Sequence, residues 1–131
     1  MVKSNSFLID TQIFIWGMEK SPKLSSKLKI LLEDTENQVF ISVASMWEMV
    51  IKQARGKLKL PQSIEKGIKD AGFKILSIEA LHVLSISKLR FYKDHNDPFD
   101  MILISQAKVE NLTLITSDPK IWKYKLSLIK A

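Results

Sequence analysis

Four acidic residues stand where a short apolar run gives way to a polar turn or to a helix. Asp10 directly follows Phe7 to Ile9, and Asp118 comes two residues after the run Leu112 to Thr116. Glu48 follows a second run, Val39 to Ile41, on the first turn of a helix that Ser45 is expected to open. Asp100 lies on the first turn of a helix expected to start at Asp97 and Pro98. Carboxylates gathered in one small site repel each other, and shared protons or a bound cation relieve the repulsion. The chain has no cysteine and two histidines, His82 and His95. Thiolate metal sites, iron–sulfur clusters, disulfide frameworks and thiol nucleophiles are excluded, and a His-rich centre nearly so. Oxygen donors favour a hard ion, magnesium or manganese. A pair of such ions about 3.5 to 4 Å apart stabilises both the attacking and the leaving oxygen of a phosphoryl displacement.

Each acid also has a purely structural use. Ser45-x-x-Glu48 fits a capping box, Asp97-Pro98 and Asp118-Pro119 fit an Asp cap followed by Pro at the first helical position, and Asp10 can cap as well. Acids recur at four joints with no clear hydroxyl or Asn cap in their place, which weighs toward a shared site. The spacing alone leaves both readings open.

The elements that must position these residues alternate. The runs Phe7 to Ile9, Val39 to Ile41, Lys74 to Ile78, Leu112 to Thr116 and Leu126 to Ile129 suit strands buried on both faces. Leu24, Leu28, Leu31 and Leu32 recur at helical spacing. A second helical face is expected from Trp47, Val50, Ile51 and Ala54, ending by Gly56 and Pro61. Further helices are expected over 63–71, over 79–89 with Leu81, Leu84 and Leu89, and over 99–109 with Phe99, Ile102, Leu103 and Ala107 inward. A short helical turn is expected at 121–124. Strands alternating with helices imply a mostly parallel sheet covered on both faces, with function at the carboxyl ends of its strands. With 131 residues and no linker or repeat, one domain over 1–131 is expected.

Twenty basic residues stand against fourteen acidic ones, a net charge of +6. Arg55 and Arg90 are the only arginines, so the surplus predicts general attraction to phosphate and few base-specific forks. Setting the four acids aside leaves ten acids against twenty bases on the rest of the chain. No apolar stretch reaches the roughly 18 residues that read as a membrane span. The start has Lys3 as an early cation, but Phe7 to Ile9 is too short for a signal-peptide core, so a cytoplasmic setting is expected.

Several segments together resemble the PIN-domain family, and within it the VapC-type toxin ribonucleases of type II toxin–antitoxin pairs. They are FLIDT at 7–11, SVASMWEMVIKQARGKLKLP at 42–61, HNDPFDMILISQAKVENLTLITSDP at 95–119 and the closing LSLI. The resemblance implies a three-layer α/β/α fold around a central, mostly parallel sheet, and a magnesium- or manganese-dependent RNA endonuclease. By position it implies that Asp10, Glu48, Asp100 and Asp118 are catalytic and bind the metal. Asp97 is an auxiliary candidate with capping as its first use, and Thr11 and Thr116 fall where the family often places hydroxyls near the site. The sequence departs from the subgroup at Gln12, where His is common, and at Met101, where Arg is common and a fixed cation is lost.

The resemblance also implies a cognate antitoxin and a toxin homodimer. Ile13, Phe14, Ile15, Trp16 and Met18 are a candidate partner or dimer surface, or a fully packed first helix. Lys52, Arg55, Lys57 and Lys59, with Lys120, Lys123 and Lys125, are candidate RNA phosphate contacts. Phe91, Tyr92 and Trp122 are candidates for base stacking or for the core. The main alternative function is a catalytically silent PIN-like module that binds RNA or an antitoxin. A receiver or phosphatase domain is disfavoured by the single acid in Asp10-Thr11-Gln12, and a DNA-flap nuclease by the lack of room for its extra elements.

Overall fold

The computed structural model describes residues 5–131, so the opening stretch with Lys3 lies outside the described residues. Five strands form one parallel sheet: β1 (Ser6–Ile9), β2 (Gln38–Ser42), β3 (Lys74–Leu76), β4 (Thr113–Thr116) and β5 (Leu128–Lys130). Their spatial order is β3-β2-β1-β4-β5. Ile9 pairs with Ile41 on one side and with Ile115 on the other. The chain builds outward from β1 in one direction and then returns to build in the other, so the order reverses between β1 and β4. In parallel sheets that crevice is where ligands bind.

Among the described residues six α-helices cover the sheet: α1 (Thr11–Glu19), α2 (Ser26–Glu33), α3 (Val43–Ala54), α4 (Ile64–Ala71), α5 (Ala80–Leu84) and α6 (Pro98–Glu110). Alternation along β1 divides its side chains between two cores. Phe7 and Ile9 join Ile13, Phe14, Leu28, Met49 and Ile68 on the face covered by α1 to α4. Leu8 joins Leu103, Ile104, Leu114, Ile121 and Tyr124 on the face covered by α6. All four β1 residues are buried, as a central strand between two helical layers requires. The result is the expected three-layer α/β/α arrangement. Among the described residues no helix is long and apolar enough to cross a membrane.

Several expected elements differ in detail. Ser45 does not open a helix. Ser42, the last residue of β2, is the cap of α3, and its Oγ accepts from Ala44 N at 3.0 Å. The helix therefore begins directly on the strand, and Glu48 stands on its second turn. The inward face of α3 carries Ala44, Ser45 and Met49, so Trp47 and Val50, expected inside, are exposed. The helix expected over 79–89 is a short α5 continued by a 3₁₀ turn at Ser85–Lys88. Its rotation is set by buried His82, whose Nδ1 accepts from Glu79 N and whose Nε2 meets Glu110 at 2.8 Å. That turns Leu81 and Leu84 outward. β3 stops at Leu76, since the next carbonyl, of Ser77, accepts from the Gln106 side chain. β5 is shifted toward the end of the chain relative to Leu126 to Ile129.

Candidate metal centre

The expected acids fall around the crevice between β1 and β4. Asp10 is buried at the end of β1, and both of its oxygens are used. Oδ1 caps α1 by accepting from Ile13 N at 2.8 Å, while Oδ2 accepts from the Thr116 hydroxyl at 2.5 Å and from Ser117 N at 3.3 Å. Capping and a place in the site are thus compatible in one carboxylate. Burial pushes its pKa above the ordinary carboxylate range, aided by the nearby charge of Asp118 and opposed by the Thr116 and backbone donors.

Thr116 ends β4 and joins two of the acids. Its hydroxyl donates to Asp10 and accepts from Asp118 N at 3.1 Å. Its carbonyl accepts from Trp122 Nε1 at 3.0 Å. Asp118 does not cap a helix as expected; its Oδ1 accepts from Lys120 N at 2.9 Å, a tight Asx turn ahead of the 3₁₀ turn Ile121–Lys123.

Asp100 comes from the first turn of α6, whose seven consecutive buried residues 101–107 anchor it. Gln106 fixes this helix to the end of β2 by accepting from Ser42 Oγ at 2.6 Å. Asp97 caps α6, its Oδ1 accepting from Phe99 N at 2.8 Å and from Asp100 N at 3.4 Å. Burial raises the pKa of Asp100 to about 6, with the charges of Asp97 and Asp118 acting in the same direction and the His95 hydrogen bond against it. Glu48 reaches the group through Thr11, whose hydroxyl donates to Glu48 Oε1 at 2.6 Å; its other oxygen lies 3.4 Å from Lys52 Nζ.

The residue that sequence reasoning missed is His95. It is buried just ahead of Asp97, with Nε2 2.9 Å from Asp100 Oδ2. Ligand atoms of His95, Asp100 and Asp118 all lie within 4.8 Å of one another. The sequence signal was its place two residues before Asp97, inside the segment HNDPFD. Met101, where a cation is common in the related subgroup, is buried with its sulfur 3.8 Å from the Tyr124 hydroxyl. Gln12 is exposed.

The other expected residues divide. Arg55, Lys57, Lys59, Lys120 and Lys125 are exposed; Lys123 pairs with Asp94 at 2.8 Å and lies over the Tyr92 ring. Phe91 is exposed, whereas Tyr92 and Trp122 are half-buried and hydrogen-bonded. Ile13, Phe14 and Ile15 belong to the core. Trp16 and Met18 pack against it partly buried, and with Ile13 and Phe14 they line a groove of about 790 Å³ between α1, α2 and α4.

The donor set fits a hard divalent cation. Among the described residues no lysine or arginine forms an ion pair with Asp10, Asp100 or Asp118. Their mutual repulsion is therefore left for protons or a cation to relieve.

The fold is similar to that of several solved structures. A structure of VapBC2 from Rickettsia felis bound to promoter DNA contains a chain 20% identical to this one, with a TM-score of 0.67, covering 95% of this chain and 98% of that one. A toxin–antitoxin complex from Klebsiella pneumoniae is similar at 20% identity and a TM-score of 0.63, over 95% and 96% of the two chains. DNA-bound VapBC from Salmonella typhimurium gives 14% and 0.66, over 99% and 98%. At these identities the likeness is one of fold. Comparison with curated protein sequences gives no match. The PIN domain family matches residues 7–125, spanning every acid described above, and the chain belongs to that family.

Proposed function

We propose that the protein is a magnesium- or manganese-dependent endoribonuclease and the toxin of a toxin–antitoxin pair. The observation that carries this reading is the convergence of Asp10, Asp100 and Asp118, from three separate elements, with no lysine or arginine ion-paired to them among the described residues. Asp10, Asp100 and Asp118 would hold the cation, with Glu48 at the edge of the group. When bound, the ion would activate water and offset the charge that develops on the phosphodiester during hydrolysis. Thr116 keeps Asp10 and the Asp118 backbone in register, and Thr11, next to Asp10, donates to Glu48. The exposed cations Arg55, Lys57 and Lys120, with Lys52 and Lys123, would hold RNA phosphates without reading sequence.

An antitoxin would be received by the apolar groove that Trp16, Met18, Leu24, Leu32 and Phe73 help to line, with Lys20 and Lys29 at hand for acidic side chains. A homodimer would cover the exposed Leu81, Val83 and Leu84 of α5 with Trp47 and Val50 of α3. An RNA target and such a partner make the cytoplasm the setting.

Total RNA incubated with magnesium, manganese or chelator tests the reading. Wild type should cut with metal only, and Asp10→Asn should not cut. Cleavage that survives Asp10→Asn or chelation overturns it, and RNA binding without cleavage supports the silent module instead. The mass in solution, alone and with the product of an adjacent small reading frame, tests the two partners.

A further inference from the structure

Two buried histidines bracket α6, each paired with a carboxylate of that helix. His82 meets Glu110 at its last turn, and His95 meets Asp100 at its first. Only the second pair lies in the carboxylate cluster. His95 has both ring nitrogens engaged: Nε2 faces Asp100 Oδ2 at 2.9 Å, and Nδ1 faces the Tyr124 hydroxyl at 3.0 Å. An ionised carboxylate only accepts, so Nε2–H donates to Asp100, and Nδ1 accepts the Tyr124 proton. Tyr124 is itself fixed. It is buried, and its ring packs edge-on against Tyr92 at 5.1 Å and against the His95 ring at 5.5 Å. The His95 backbone is held too, its N–H donating to Tyr92 O at 3.1 Å.

This chain of contacts joins two segments of the site. Asp100 and His95 stand at the start of α6, whereas Tyr124 closes the 3₁₀ turn that follows Asp118. We infer that His95, held by Tyr124, is a positioning residue that fixes the Asp100 carboxylate against Asp118 so that the pair can share one divalent cation. The inference rests on the metal-dependent reading above. A donor on one oxygen sets the carboxylate's rotation and leaves its remaining lone pairs for the ion, as is common for groups that support metal ligands. His95 acts through Asp100 and is not itself a ligand, because ligation by Nε2 would displace the hydrogen bond that orients Asp100.

The test is Mn²⁺ binding to the purified full chain, followed by electron paramagnetic resonance, with folding of each variant checked by circular dichroism. His95→Leu should weaken binding about 10- to 100-fold. His95→Gln, which keeps an N–H donor, should recover much of that loss, and Tyr124→Phe should weaken binding less than His95→Leu. His82→Gln, at the far end of α6, should lower thermal stability and leave Mn²⁺ affinity unchanged. Pulsed spectra of the bound ion should lack the coupling of a directly ligated nitrogen.

Wild-type affinity in His95→Leu overturns the inference alone, as does a directly bound nitrogen signal. Should His95→Leu not fold, wild-type affinity in Tyr124→Phe, or a loss in His82→Gln as large as in His95→Gln, overturns it equally. A wild type that binds no Mn²⁺ overturns the metal-dependent reading and this inference with it.

Discussion

Replacing Asp100 by Asn should make the metal-free protein more stable while abolishing its activity. In the folded chain the Asp100 carboxyl titrates at about 6, against an ordinary 3.8. The folded state therefore holds this proton more tightly than the unfolded state. Its contribution to stability is full below the unfolded pKa and is lost as pH rises through the folded one. The gap from 3.8 to about 6, at 1.36 kcal/mol per pH unit, corresponds to about 3 kcal/mol of stability lost by pH 7.5. Asn never ionises, and its oxygen can still accept from His95 Nε2–H. The shift is already net of the His95 hydrogen bond, but Asn must also house two N–H donors in a partly buried site, which takes back about 1 kcal/mol. Asp100→Asn should then exceed wild type by about 2 kcal/mol at pH 7.5 in chelator, or several degrees in melting temperature for a chain of this size. Near pH 5, still above the unfolded pKa, roughly half of the wild-type loss remains, so the advantage should fall below about 1 kcal/mol. Urea denaturation at the two pH values measures both numbers. Adding Mn²⁺ at pH 7.5 should stabilise wild type and not the variant. A variant less stable than wild type at pH 7.5, or a difference that ignores pH, would refute the assignment of a strained, cation-seeking carboxylate.

Further outcomes can be checked separately. Thr116→Val removes the donor to Asp10 and the acceptor for Asp118 N; isothermal titration with Mn²⁺ should show affinity falling about 10- to 100-fold. The pH at which that variant gains activity should move upward, because burial already raises the Asp10 pKa and Thr116 opposes the rise. Replacing Arg55 and Lys57 by Ala should make the salt dependence of single-stranded RNA binding shallower by roughly 0.7 log units per log unit of salt for each lost phosphate contact, read by fluorescence anisotropy. Gly72→Ala should cost about 1 kcal/mol in urea denaturation, since Gly72 ends α4 at a φ of 73° that side chains disfavour.

The parts legible in the sequence are those whose signal is local. β1 and β4 are apolar runs buried on both faces, each leading into an Asp, and Asp97-Pro98 marks the start of α6 without ambiguity. The parts that were not legible depend on long-range partners. Ser42 looks like an ordinary strand residue until Gln106, 64 positions away, shows its hydroxyl to be interior. The outward turn of Leu81 and Leu84 follows from His82 meeting Glu110, and periodicity alone favoured the opposite face. Two histidines argue against a His-rich centre, yet His95 stands beside the acids. Its place depends on Tyr124, 29 residues on, and no spacing rule connects the two.

The hydrogen bond between Asp10 and Thr116 spans 106 positions of sequence. Closing so long a loop is entropically costly, and contacts of this range form late and slowly. Asp10 is synthesised 106 positions ahead of Thr116, its partner on β4. An N-terminal fragment that ends before β4 has Asp10 but neither Thr116 nor Asp118, so a stalled or prematurely ended translation product cannot assemble the cluster. The order of strands in the sheet thus delays the carboxylate cluster until β4 and the turn after it have been made.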